Sequence, residues 1–188
     1  MRPLTEAETS TLFSKLANYT GRSLNSIVAN TSESGSEADR YVFRMIGSRV
    51  FYVRLSLANL AVSIPRDNLL ALGTMIGKFT KTGKFRISIT ALDVIAPHAR
   101  YTVHIKENGI MPFLYGGSVA RAHVGRFSDD APESAGIIVR SSDDTPLGFG
   151  VTTMSSAQSR KMEPTRIVVA RQTDLGEYLR EEDTIFTT

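Results

Sequence analysis

The feature that most restricts what this chain can fold into is a pair of β-rich runs, Tyr41–Ile46 (YVFRMI) and Arg49–Leu55 (RVFYVRL), with only Gly47-Ser48 between them. Two residues cannot carry a crossover, so the runs must pair antiparallel, and a Gly-X connection suits a type II′ hairpin. A second hairpin follows from the same reasoning. Met75–Thr80 and Lys84–Thr90 flank a turn supplied by Gly83, and Ile87, Ile89 and Ala91 alternate with Ser88 and Thr90, which separates a buried face from a wet one.

Helical signals surround these hairpins. Thr5 is followed three residues later by Glu8, which is capping-box spacing, and Leu12, Phe13, Leu16 and Ala17 then recur at helical intervals before Gly21. Asn30–Asp39 (NTSESGSEAD) has no large apolar residue and reads as a flexible surface loop or insertion, remote from function. Ser56–Ser63 and Asp67–Leu72 flank Pro65, which predicts two short helical pieces with a break between them, the second ended by Gly73.

The chain changes character at Asp93–Arg100 (DVIAPHAR), and we place a domain boundary near Ala96, giving residues 1–96 and 97–188. Beyond it come short strands and turns: Tyr101–Ile105, a turn at Asn108-Gly109, Pro112–Tyr115, Gly116-Gly117, and Val119–Val124 as a short helix or a strand. Ile137–Arg140 and Leu147–Thr152 bracket the acidic turn Ser141–Pro146, and Ile167–Ala170 is the last strand. Asp174 with Glu177 repeats the capping pattern for a terminal helix over Leu175–Arg180. The fold class is α+β, an N-terminal α/β domain with an antiparallel sheet followed by a mostly β domain.

Charge is segregated along the chain. Residues 41 to 126 hold 12 of the 22 Lys and Arg but 3 of the 19 Asp and Glu, a local +9 beneath a total of +3. Such a block draws polyanions, of which nucleic acid is the commonest soluble kind, although solvated strand faces would carry the same count. Lys78, Lys81 and Lys84 cluster on or beside the Gly83 turn, with Arg86 just after it, so this tip either touches RNA backbone or stays wet. A last basic cluster, Arg160, Lys161, Arg166 and Arg171, makes residues 151 to 171 net +3 between acidic stretches, and a cationic stripe of that kind favours RNA.

Several classes fall away. With no cysteine there is no disulfide, thiolate nucleophile or Cys-ligated zinc, and a reducing compartment fits. Met1–Leu12 alternates polar and charged residues where a secretory signal would carry an apolar run, and the longest apolar stretch, Leu55–Ile64, is about half of what a bilayer span requires. Gly77–Phe85 (GKFTKTGKF) suggests a phosphate loop, but five residues separate Gly77 from Gly83 and Phe85 follows Lys84, so the spacing fails. His98, His104 and His123 match no metal-ligand spacing, and Asp129-Asp130 and Asp143-Asp144 sit among turn residues. We expect no catalytic residue, metal or cofactor.

Gly77–Ala99 (GKFTKTGKFRISITALDVIAPHA), Pro112–Asp130 (PFLYGGSVARAHVGRFSDD), Pro146–Val151 (PLGFGV) and the tail Leu175–Thr188 resemble the eukaryotic Nip-seven family of large-subunit ribosome biogenesis factors. The likeness spans nearly the whole chain and departs at the longer loop around Asn30–Asp39. It implies a PUA domain in the second half, a compact β pseudo-barrel that binds RNA, and makes Arg121 and His123 candidate contacts with Tyr115 as a stacking platform. It also puts Arg160, Lys161 and Arg166 in the basic region that holds RNA; Lys78, Lys81 and Lys84 stand as secondary candidates on the charge reading of the hairpin. The resemblance further implies a monomeric, non-catalytic assembly factor of nucleus and nucleolus, required for pre-rRNA processing. Its expected partners are uridine-rich single strands of pre-rRNA, pre-60S particles, other assembly factors and the exosome. Two readings stand beside it: a protein-interaction adaptor with incidental RNA contact, and a PUA-containing RNA-modifying enzyme, for which residues 1 to 96 supply no methyl-donor loop or acid/base pair.

Overall fold

The structure is a computed structural model that describes residues 1–29, 31–32, 39–65 and 68–181. It divides into two compact units, one of residues 1–17 and 22–94, the other of residues 18–21 and 95 onward. The α+β reading with an antiparallel N-terminal sheet and a β pseudo-barrel holds. Among the described residues no helix is long and apolar enough to cross a membrane.

In the first unit, strand β1 (Arg2–Pro3) precedes helix α1 (Glu6–Thr20), whose last turn belongs to the second unit. The capping box forms: Glu8 N donates to Thr5 Oγ1 at 3.3 Å, and Thr5 N donates to Glu8 Oε2 at 2.8 Å. Helix α2 (Leu24–Val28), strand β2 (Thr31–Ser32) and the predicted hairpin follow, β3 (Asp39–Ile46) paired antiparallel with β4 (Arg49–Arg54). Gly47 turns this hairpin at φ +57°, a region that only glycine enters at no steric cost. Apart from Thr31, Ser32 and Asp39, which pair at the sheet edge, the expected loop over Asn30–Asp39 lies outside the described residues.

The first of the two expected helical pieces is α3 (Leu55–Leu60), continued by a 3₁₀ turn to Ser63. The second does not form over Leu69–Leu72, and Asp67 lies outside the described residues. Asn68, in a 3₁₀ turn, donates its N–H to Pro65 O at 3.1 Å, Leu69–Leu72 is irregular, and Gly73, at φ +80°, bends the chain into β5. Strands β5 (Thr74–Phe79) and β6 (Phe85–Ile87) complete the second hairpin, giving the order β1-β3-β4-β5-β6 with β2 on β3. Phe51, Val53, Ile76 and Phe85 are buried in this sheet, and Phe13 of α1 meets Phe43 edge-on with ring centroids 5.7 Å apart. Burial of such side chains at roughly 25 cal/mol per Å² is the main force holding the layers.

After the short helix α4 (Leu92–Ile95), the second unit is one sheet in the order β8-β12-β11-β10-β7-β9. Its strands are β7 (Thr102–Ile105), β8 (Val119–Ala120), β9 (Val124–Phe127), β10 (Gly136–Arg140), β11 (Pro146–Thr152) and β12 (Ile167–Asp174), the last longer than the sequence suggested. Only β7 and β10 are parallel; the other pairs are antiparallel. Edge strands β8 and β9 are consecutive in the chain, joined by a 3₁₀ turn at Arg121–His123, so the sheet bends until its edges nearly meet. Its interior is filled by Val103, Ile105, Phe113, Val119, Ile137, Val139, Val168 and Val169.

One element overturns the sequence reading. Asn108-Gly109 and Pro112–Tyr115 are not turn and strand but helix α5 (Glu107–Leu114), with Pro112 inside it. Phe113 is buried in the barrel and Gly109 lies against the His123 side chain, so packing outweighs the hydrogen bond that Pro112 cannot donate. The short helices α6 (Ser156–Ser159) and α7 (Glu177–Arg180) complete the unit. The expected cap on α7 does not form. Asp174 instead accepts from Gly176 N and Arg180, while Glu177 is taken by Arg171 and Thr173.

The exposed end of α1 yields a pH prediction. Arg2 holds Glu8 through hydrogen bonds of 2.6 and 2.8 Å, and with the Thr5 N–H it lowers the Glu8 carboxyl from its ordinary 4.5 to about 2. Because the folded value lies below the unfolded one, the contribution is complete above pH 4.5 and is lost as pH falls through about 2. Glu8→Gln should therefore destabilise the protein near neutrality, and the difference from wild type should shrink as pH falls from 4.5 toward 2 in denaturant titrations. A difference that is constant over that range would contradict this coupling.

Candidate nucleic-acid interface

The turn that closes the barrel also builds its charged groove. Arg121 N donates to Arg166 O and Ala122 N to Pro164 O, both at 2.8 Å, so the β8–β9 turn is fastened to the segment before β12. Arg121 Nε donates to Ser159 O at 3.0 Å, fixing the end of α6 beside the same turn. Helix α6 is itself set by a capping box, with Ser155 Oγ accepting from Gln158 N and the Gln158 side chain accepting from Ser155 N.

These fastenings bring Arg121, Arg126 and Arg160 to the walls of one groove of about 360 Å³, with Val124, Gly125, Phe127, Asp129 and Ser159 completing it. Arg160 forms an ion pair with Asp129 at the rim, where both side chains are more than half exposed, so the pair is weak and easily exchanged for another anion. Lys106 reaches the closing turn too, its Nζ 3.2 Å from Ala122 O. Beneath the groove, Arg126 lies 3.3 Å from His104 Nε2, which donates to Asp144 Oδ1 at 2.8 Å. That hydrogen bond, with the nearby charges of Arg140, His104 and Arg126, holds the Asp144 carboxyl below the usual carboxylate range.

The other expected contacts are distributed as follows. Lys161 and Arg166 are exposed on the segment that follows α6 and do not line the groove, although Arg166 supplies the carbonyl that fixes Arg121. His123 is half-buried against Gly109 near the start of α5, whereas Tyr115, 75% exposed, caps the other end of that helix. Six residues of helix rise about 9 Å, so these two belong to separate places, and Tyr115 does not line the groove. Lys78, Lys81 and Lys84 belong to the first unit, on the β5–β6 hairpin.

Arg171, which the charge count placed in the stripe, is removed from it. Its guanidinium binds Asp174 at 2.5 Å and Glu177 at 2.8 Å, and Arg180 binds the same fully buried Asp174 at 2.9 Å. Arg126 and Lys106 were missed. Arg126 is exposed directly opposite His104 in the β7–β9 register, a pairing visible only once β9 is known to be a strand. Among the described residues no group of three or more His, Asp and Glu side chains is placed to hold a metal.

A β sheet whose edge strands nearly meet, with a cationic groove at the seam, defines a PUA domain that follows an α/β domain in the chain. Residues 101–183 match the UPF0113 PUA domain, and residues 1–89 match the NIP7/UPF0113 pre-PUA domain. The chain belongs to the NIP7 family: it is 54% identical over the full length of both chains to the 60S ribosome subunit biogenesis protein NIP7 of Saccharomyces cerevisiae. It is 50% identical to the counterpart of Schizosaccharomyces pombe, over 99% of this chain and all of that one. Two solved structures share the fold, a PUA domain from Aeropyrum pernix (TM-score 0.59, 16% identity, 96% of this chain and 89% of that one) and a conserved PUA domain protein from Thermoplasma acidophilum (TM-score 0.57, 13% identity, 99% of each).

Asp129 competes with any anion for Arg160. Asp129→Asn should leave the unfolding free energy within about 0.5 kcal/mol of wild type, as an exposed pair implies, and tighten binding of an anionic oligonucleotide. Weaker binding, measured by fluorescence anisotropy, would show that the carboxylate assists the ligand.

Proposed function

We propose that this protein is a non-catalytic RNA-binding assembly factor of the large (60S) ribosomal subunit that holds single-stranded, uridine-rich pre-rRNA in the groove of its PUA domain and so serves pre-rRNA processing. The observation that carries the reading is the convergence of Arg121, Arg126 and Arg160 on one groove, with Phe127 at its wall. Guanidinium groups neutralise phosphates and release their counterions, a salt-sensitive and largely sequence-blind term, while an aromatic face stacks a base for roughly 1–3 kcal/mol. The chemistry is occupancy. Relatives named for assembly of the 60S subunit support this role, and it entails a nucleolar site of action on pre-60S particles, with the exosome and other assembly factors as neighbours.

A second reading rests on its own observation. Leu57, Leu60, Val62 and Ile64, on and just after α3, are all more than 40% exposed, and Leu70 is 60% exposed. Apolar side chains gathered in one segment mark a protein-contact surface, so the first unit would dock other assembly factors while the second holds RNA. The two readings are compatible.

The groove predicts a specific loss. Replacing Arg121, Arg126 and Arg160 together by Gln should weaken binding to a uridine-rich oligonucleotide and reduce the log–log salt slope by about 2, at roughly 0.7 per single-strand phosphate contact. An unchanged slope in a variant whose circular dichroism matches wild type would contradict the assignment.

A further inference from the structure

The β5–β6 hairpin carries a second cationic feature. In register, Lys78 of β5 stands opposite Arg86 of β6, so two like charges form a row across neighbouring strands. Cross-strand partners on one face come within about 5 Å, and like charges placed directly opposite destabilise a sheet. Lys84, two residues before Arg86, lies on the same face by the alternation of a strand. Lys78, Lys84 and Arg86 are all exposed, as is Lys81 at the tip. Among the described residues, no carboxylate comes within salt-bridge distance of Lys78, Lys84 or Arg86.

The hairpin is built to keep that row in place. On the opposite face Phe79 and Phe85 pack ring to ring at 4.9 Å, with Phe85 buried, so the strands cannot rotate to spread the cations. Gly77 lets the strands approach: a Cβ there would stand 2.1 Å from Arg86 O. The tip is closed by Thr80 N donating to Lys84 O at 2.8 Å, Gly83 N to Thr80 O at 2.9 Å and Lys84 N to Thr80 Oγ1 at 3.1 Å, with Gly83 at φ +76°.

From this we infer that the face of the β4–β6 sheet bearing Lys78, Lys84 and Arg86 is a second RNA-binding surface, one that takes the phosphate backbone and reads no bases. The opposed cations have an electrostatic cost in the free protein that a polyanion relieves, and Lys78, Lys84 and Arg86 offer it exposed positive charge. Phosphates need only such charges, whereas an acidic peptide would need an apolar anchor beside them. The inference rests on the groove reading only in taking RNA as the polyanion. It assigns to the first unit a positioning contact that is separate from the groove.

The test uses the full chain in four forms: wild type, the groove variant with Arg121, Arg126 and Arg160 changed to Gln, a hairpin variant with Lys78, Lys84 and Arg86 changed to Gln, and the combination. Binding to a uridine-rich oligonucleotide is measured across a salt series. The hairpin variant should lose about 2 from the log–log salt slope at roughly 0.7 per contact, and the combination should lose about twice that. Its unfolding midpoint at low salt should rise above wild type, because the like-charge row is gone. Wild-type affinity and slope in the hairpin variant would overturn this inference and leave the groove reading standing. Loss confined to the hairpin variant, with the groove variant unchanged, would overturn the groove reading and leave this one. Should the triple change impair folding, Lys84→Gln alone, at the exposed tip, should reduce the slope by about 0.7, and no reduction would overturn the proposal.

Discussion

The closure of the PUA sheet through one three-residue turn is the constraint on which the site depends. Strands β8 and β9 lie at opposite edges of the sheet, yet they are consecutive in the chain, and Arg121–His123 is all that separates them. A turn that short forces the sheet to bend until its edges approach, and the backbone hydrogen bonds from Arg121 and Ala122 then draw in the segment before β12. Arg160 is far in sequence from Arg121 and Arg126, and it meets them because the barrel closes there. The cationic groove is a consequence of topology as much as of composition.

Within that frame, geometry decides which cations are available. Arg160 and Arg171 look alike in a charge count, but Arg160 pairs with the open carboxylate of Asp129 while Arg171 is bound to Asp174, which is fully buried, and to Glu177. Releasing Arg171 would leave the buried Asp174 carboxylate to Arg180 and the Gly176 N–H alone and strip Glu177 of its cation, whereas Arg160 exchanges one exposed anion for another at little cost. The first unit shows the reverse arrangement. Its hairpin leaves like charges opposed and exposed, a configuration that gains from an external polyanion.

Much of this was legible in the sequence wherever a local signal agreed with tertiary packing. Gly47-Ser48 and Gly83 dictated hairpins, and Thr5 with Glu8 dictated the start of α1. The reading of α5 failed because Asn108-Gly109 and Pro112 are turn and breaker residues, and nothing local reveals that Phe113 must enter the barrel or that Gly109 must admit His123. Asp174 has the spacing of a cap but is the centre of an ion-pair network, since spacing along the chain does not report which side chains converge on it. Arg126 and Lys106 carry no local signal for a related reason: Arg126 takes its place from the β7–β9 register, a pairing between segments about twenty residues apart, and Lys106 from its contact with Ala122 O.

The central claim is that RNA occupies the seam where the barrel closes. Ultraviolet crosslinking of the full chain to a uridine-rich oligonucleotide, followed by mass spectrometry of the attached peptides, tests it most directly. Crosslinks concentrated on residues 121 to 129 and 159 to 161 are the predicted result. Crosslinks confined to the Tyr115 end of α5, with none on the seam, would contradict it.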